Sequence, residues 1–276
     1  APAPVRRDVS AGVLANLDLF AQYSAAAYCD SNLNSDGTKL TCAAGNCPLV
    51  EAADTETLDE FDMTATYGNV AGYIAVDRTN RLLVLAFRGS ASISNWIANL
   101  NLGLTDASAL CAGCEVHSGF WEAWQTAEAT ISDIIASAAQ TYPGYTLVVT
   151  GHSYGAALAA IAATRFRNEG YAVELYDYGQ PRIGNLALAQ YITNQSGGGN
   201  FRVTHTNDIV PKLPPDWLGY SHFGPEYWIT SGDGVPVTTA DVEVISGVDA
   251  TGGNDGAEGT SVDAHRWYFV YISQCE

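Results

Sequence analysis

Tyr145-Thr-Leu-Val-Val-Thr-Gly-His-Ser-Tyr-Gly-Ala-Ala-Leu-Ala-Ala160 is the stretch on which the fold reading turns. Tyr145 to Thr150 is an apolar, β-rich run of strand length, and Tyr154 to Arg167 is Ala-rich and helical, with Gly170 as its stop signal. Between them lies G-x-S-x-G, as Gly151-His152-Ser153-Tyr154-Gly155. A strand that passes straight into a helix through so tight a turn leaves no room for bulky neighbours, which accounts for both glycines. The turn lifts the Ser153 hydroxyl out of the sheet, and the first N–H groups of the helix face the same point. The motif alone recurs by chance; the strand before it and the helix after it give it weight. So placed, Ser153 is a candidate nucleophile and the Tyr154 N–H a candidate oxyanion donor. The bland alternative is a Gly-rich turn with a capping serine.

The pattern extends on both sides. A helix is expected near Val13–Tyr28, and a hairpin from Val70–Val76 and Leu82–Phe87, whose link Asp77-Arg-Thr-Asn-Arg81 is turn-like. A long helix is expected from Phe120 to Thr141, stopped near Pro143. Then come a strand at Val173–Tyr178, a helix at Leu186–Thr193, a strand at Phe201–Thr206, and strands near Glu226–Ile229 and Val242–Ile245. This alternation predicts an α/β fold with a mainly parallel central sheet and helices on both faces. The active site then belongs at the carboxyl ends of the strands. No repeat or long linker interrupts it, so residues 8–276 read as a single domain.

Serine is a poor nucleophile without a histidine base and an acid to orient it. In a fold with this elbow the chain order is Ser, acid, His, which removes His117. His152 sits in the elbow itself and points away from Ser153. His265, in Asp263-Ala264-His265 before a final apolar run, is the favoured base, with His222 its rival. Asp208, just past the strand ending near Thr206, is the favoured acid. Asp177 lies within a strand and reads as structural, while Asp216 is a possible substitute.

Of 276 residues, 47% are hydrophobic and 15% charged, enough for a substantial core, and no apolar run has the length of a membrane span. The net charge of −18, with 12 Lys and Arg and no basic stripe, argues against nucleic acid as a partner. It favours neutral or zwitterionic surfaces over strongly anionic ones. Six cysteines form an even set. Cys111-x-x-Cys114 has the spacing of a metal or redox motif, but nothing supplies the other half of a zinc site. Three disulfides are the better reading: Cys42–Cys47 and Cys111–Cys114 closing short loops, and Cys29–Cys275 tying the ends, although sequence alone does not choose among the pairings. Disulfides imply an oxidising compartment and hence secretion. Asn194-Gln-Ser196 is an N-glycosylation sequon. Residues 1–7, ending in Arg6-Arg7, read as a residual pro-segment with a dibasic processing site.

From Ser90 to Leu100 the chain reads Ser-Ala-Ser-Ile-Ser-Asn-Trp-Ile-Ala-Asn-Leu. Ile93, Trp96, Ile97 and Leu100 fall on one face of a two-turn helix. The bland alternative is a helix packed on the core.

From Asp8 to Cys275 the chain resembles the filamentous-fungal triacylglycerol lipases of lipase class 3. The resemblance is carried by Leu19-Phe-Ala-Gln-Tyr-Ser-Ala-Ala-Ala-Tyr-Cys29, Phe87-Arg-Gly-Ser90, Asn95-Trp96, Thr204-His-Thr-Asn-Asp-Ile-Val-Pro211 and Asp249-Ala-Thr-Gly-Gly-Asn254. It implies an α/β-hydrolase fold and a triad of Ser153, Asp208 and His265. It implies oxyanion donors at Ser90 and Tyr154, and the three disulfide pairings above. Residues 91–100 become a lid over the site in water, which would open at a lipid surface. The implied activity is hydrolysis of triacylglycerol esters, with no metal, no cofactor and no obligate protein partner. Phospholipase A1 or feruloyl-type esterase activity is the alternative on the same scaffold, and the apolar Ile/Trp/Leu face argues against the second. Two positions depart from the family: Tyr154 replaces a usual Leu and Ala156 a usual Gly. The main-chain donor survives the first change, but the acyl-chain preference does not carry over.

Overall fold

Strands buried on both faces need apolar residues at every position, and that composition marks the middle of the molecule. The computed structural model describes residues 8–33, 36–63, 70–90 and 92–275; the expected pro-segment at 1–7 lies outside them. Among the described residues, eight strands form one sheet whose spatial order follows the chain. They are β1 (Thr55–Met63), β2 (Val70–Asp77), β3 (Leu82–Phe87), β4 (Thr146–His152), β5 (Val173–Tyr178), β6 (Asn200–His205), β7 (Glu226–Ile229) and β8 (Val242–Ile245). β3 to β7 run parallel, and both edges are antiparallel. The expected hairpin is β2–β3. β1 is not among the strands expected from the sequence; it pairs along β2 from Thr55↔Asp77 to Met63↔Val70.

Successive side chains leave a strand on opposite faces, and the two cores follow that rule. Leu83, Leu85, Phe87, Leu147 and Val149 pack beneath α3 (Ser118–Thr141) and α4 (Tyr154–Asn168). Val84, Ala86 and Val148 face the other way, onto Leu17 and Phe20 of α1 (Ala11–Ala26). Small residues in α4, such as Ala159, Ala160, Ala162 and Ala163, are fully buried and let the helix lie close to the sheet. α2 (Ile93–Ala98) precedes α3 in the chain, and α5 (Leu186–Asn194) and α6 (Asp263–Arg266) follow α4. Asn194 ends α5, exposed, its side-chain amide donating to the Gln190 carbonyl at 2.8 Å.

The cysteines pair as Cys29–Cys275, Cys42–Cys47 and Cys111–Cys114. The first closes a sequence separation of 246 residues and fastens the last segment to the end of α1. The carboxyl ends of β3, β4, β5 and β6 lead directly into Arg88–Ser90, Ser153, Gly179 and Thr206–Asp208.

Candidate active site

At the end of β4 the chain turns into α4 through Ser153, whose φ of 59° and ψ of −124° are left-handed and sparsely populated. Such a conformation costs about 1–3 kcal/mol and persists only where packing enforces it. Here two close approaches do so. A Cβ on Gly151 would lie 2.4 Å from the Gly155 carbonyl oxygen, and one on Gly155 would lie 2.3 Å from that of Phe87. The first turn of α4 is thus pressed against the end of β3. Ser90 is half-buried three residues beyond Phe87, and Tyr154 occupies the first position of α4.

His265 is fully buried on α6, and its Nδ1 lies 2.8 Å from Asp208 Oδ2. Asp208, also fully buried, accepts two further bonds: from the Val210 N–H at 2.8 Å on Oδ1, and from the Tyr268 hydroxyl at 2.5 Å on Oδ2. A carboxylate with three donors is an acceptor only, so His265 carries its proton on Nδ1 and leaves Nε2 as the basic nitrogen. Among the described residues, neither His265 Nε2 nor Ser153 Oγ has a hydrogen-bond partner, and both are sealed from solvent. Two buried polar atoms without partners are costly in an ordinary core. The pair fits a site held ready for an incoming polar group.

The rival candidates lie elsewhere. His222 Nε2 meets the Pro211 carbonyl at 2.7 Å, and burial, with Arg202 and Arg182 nearby, holds its pKa well below the usual range. Asp216 is exposed, and its Oδ1 accepts from the Trp217 N–H. Asp177 is fully buried one residue before the end of β5, its pKa raised well above normal by desolvation. His117 caps α3, its Nδ1 accepting from the Phe120 N–H while Nε2 meets the Asn101 carbonyl.

The segment after Ser90 forms α2, with Ile93 buried and Trp96, Ile97 and Leu100 half-buried, while Ser94, Asn95, Ala98 and Asn99 face water. Ala91, the first residue of the expected lid, lies outside the described residues. Trp96 stacks on Phe120 with centroids 6.3 Å apart, and the Phe120 ring lies 5.8 Å from that of Tyr154. The apolar face of α2 therefore rests, through Phe120, on the residue that follows Ser153.

The family description Lipase (class 3) matches residues 84–217, and Lipase 3 N-terminal region matches residues 1–59. Secreted mono- and diacylglycerol lipase A of Penicillium cyclopium is 47% identical over 272 residues, covering 96% of this chain and 88% of the relative. The chain belongs to the class 3 lipases. The crystal structure of a mutant form of the Penicillium cyclopium enzyme superposes with a TM-score of 0.91 at 45% identity, covering 98% of this chain and all of that one. A triacylglycerol lipase whose catalytic centre is described as a serine protease triad matches at a TM-score of 0.86 and 28% identity, covering 99% and 100% of the two chains.

This class 3 lipase also places residues in the site that the sequence does not reveal. Gly179, with φ of 58°, lies so close to His265 that a Cβ there would be 2.9 Å from the imidazole Cε1 and Nδ1. His152, beneath the elbow, joins the Tyr28 hydroxyl at 2.7 Å to the His265 carbonyl at 2.8 Å, and burial keeps it neutral. Asn254 donates to the Asp208 carbonyl at 2.9 Å, which gives the motif ending at Asn254 a local purpose. The sequence offers partial signals: Gly179 follows a β-strand, Tyr28 lies in the Leu19–Cys29 motif, His152 in the elbow and Asn254 at the end of its own motif.

Proposed function

We propose that this chain is a secreted serine hydrolase that cleaves acylglycerol esters, triacylglycerols among them, at lipid–water interfaces. The supporting observation is the buried arrangement of Ser153, His265 and Asp208 under the apolar face of α2. His265 Nε2 takes the proton of Ser153 as Oγ attacks the ester carbonyl, and Asp208 orients the imidazole and stabilises its charged form. The Tyr154 N–H and Ser90 stabilise the tetrahedral oxyanion. His265 returns the proton to the departing alcohol, and water then resolves the acyl-enzyme by the same steps in reverse order.

α2 acts as the lid. Closed, its apolar side covers the site; open, the same side contacts lipid, each position removing apolar area from water at about 25 cal/mol per Å². A lipid surface therefore offsets the cost of opening, and activity rises at an interface. Secretion is supported by the three disulfides and by the Penicillium relative, which is named as secreted.

A second reading, confinement to mono- and diacylglycerols, is favoured by the same relative. Initial rates on emulsified tricaprylin, dicaprylin and monocaprylin separate the two. A tricaprylin rate within about tenfold of the dicaprylin rate supports the broader reading, and none above background restricts it. Labelling by a phosphonate ester, followed by peptide mass spectrometry, tests the chemistry. The adduct is expected on Ser153 and absent in Ser153→Ala; an adduct elsewhere contradicts the assignment.

A further inference from the structure

Trp217 is 78% exposed, far more than the other large hydrophobic side chains. Its indole makes no hydrogen bond or ring contact among the described residues. An unsupported tryptophan in water forgoes a large burial gain, since the side chain has 150–250 Å² to bury. It tolerates a boundary between water and lipid best, with the ring in the apolar layer and the N–H toward the polar groups.

Its placement says which boundary. The loop carrying it leaves the carboxyl end of β6 immediately after Asp208, on the same rim as Ser153. Both roots of the loop are fixed. Arg182, almost fully buried, donates to the carbonyls of Lys212 and Pro214 at 2.8 and 3.1 Å. Tyr220, 1% exposed, directs its hydroxyl to the carbonyls of Leu102 and Gly103 at 3.3 and 3.2 Å. Between them Pro215 and a left-handed Gly219, φ of 90°, hold the short turn Asp216–Leu218 outward.

Tyr220 also ties this turn to the lid. Its clasp falls on the segment just after α2, where Leu102 is itself 46% exposed. Its ring lies 6.2 Å from His117, which stacks at 4.0 Å on Phe120, the ring beneath Trp96. Trp96 is turned inward in the closed form while Trp217 already faces out, so the two tryptophans offer apolar surface at different stages.

We propose that Trp217 is a standing anchor that engages a neutral or zwitterionic lipid surface before the lid opens and turns the mouth of the site toward it. The proposal rests on the lipase reading above and adds to it the residue that makes first contact. The neighbouring exposed Asp216 and the net charge of −18 select against anionic surfaces.

The test uses the full chain carrying Ser153→Ala, so that no substrate is consumed, with flotation on phosphatidylcholine vesicles and on triolein emulsion. Adding Trp217→Ser is expected to lower the partition coefficient by about tenfold or more. Leu49→Ser, a less exposed apolar residue (43%) on the short helix packed against α1, is expected to leave it unchanged. In the active chain, Trp217→Ser should hydrolyse dissolved 4-nitrophenyl butyrate within about twofold of the parent rate, which excludes misfolding. Phosphatidylglycerol vesicles should bind the parent more weakly than phosphatidylcholine. Equal partition of parent and Trp217→Ser overturns the anchor while the lipase reading stands. A parent that binds neither surface overturns the anchor, and if it also leaves emulsified esters uncleaved, the lipase reading falls with it.

Discussion

Gly179→Ala should cripple catalysis while leaving the fold nearly intact. The added methyl would lie 2.9 Å from two atoms of the His265 ring and 3.0 Å from the Tyr268 hydroxyl, where ordinary contact begins near 3.4 Å. The ring must therefore retreat by roughly half an ångström. It cannot do so without stretching its 2.8 Å bond to Asp208, because the ring is fully buried and its neighbour Tyr268 is bonded to the same carboxylate oxygen. A misplacement of about 1 Å costs on the order of 100-fold in rate, so a fall in kcat of roughly 10- to 100-fold is expected. The left-handed backbone adds about 1–2 kcal/mol of instability for any residue with a Cβ. Gly37→Ala isolates that second effect: its φ is 75° and nothing lies within 4 Å of the new methyl. Gly37→Ala should lose a few degrees of Tm and Gly179→Ala somewhat more, since its buried overlap adds to the strain, but only Gly179→Ala should lose kcat on a dissolved ester. Parent-like kcat in Gly179→Ala would refute the claim that this backbone sets the position of His265.

Tyr268→Phe removes a donor to Asp208 and should lower kcat on the order of tenfold with KM little changed, read by steady-state kinetics on a dissolved ester. Trp96→Ser weakens the apolar seal of the lid; hydrolysis of dissolved ester should rise several-fold and the ratio of emulsified to dissolved rates should shrink. His117 has its pKa lowered by burial from the ordinary 6.5 to about 4. The unfolded chain therefore takes up that proton first as pH falls below about 6.5, and stability on the order of 3 kcal/mol drains away between there and pH 4. His117→Asn, still able to cap α3, should lessen but not abolish the fall of Tm across that window in calorimetric scans, because His152 and His222, also held neutral by burial, contribute the rest. Replacing Cys29 and Cys275 together by Ser reopens a loop of 246 residues and should cost about 5–6 kcal/mol, seen as a Tm lowered by roughly 10 °C.

The parallel centre of the sheet was legible because β3, β4 and β5 are buried on both faces and so are written as short apolar runs between turn residues. Ser153 was legible for a related reason: its turn tolerates only glycine at two flanking positions, and few local structures impose that. β1 was not. Asp59, Glu60 and Asp62 have poor β-propensity, and only the pairing with β2 at the sheet edge draws them into a strand. Asp208 and His265 could be ordered along the chain, but His222 could be set aside only from contacts, since its bond to Pro211 and the nearby arginines depend on the loop that carries them. Gly179, Tyr268 and the Tyr28–His152 pair reach the site through contacts between distant segments, up to 124 residues apart for that pair. No periodicity records such contacts.

The most direct test of the central claim is pH-stat hydrolysis of tributyrin, followed across its solubility limit, for the parent and for Ser153→Ala. A lid-gated serine lipase should show a sharp rise in rate as droplets appear, abolished in Ser153→Ala. A rate that saturates below the limit with no further rise, or activity that survives in Ser153→Ala, would contradict the account.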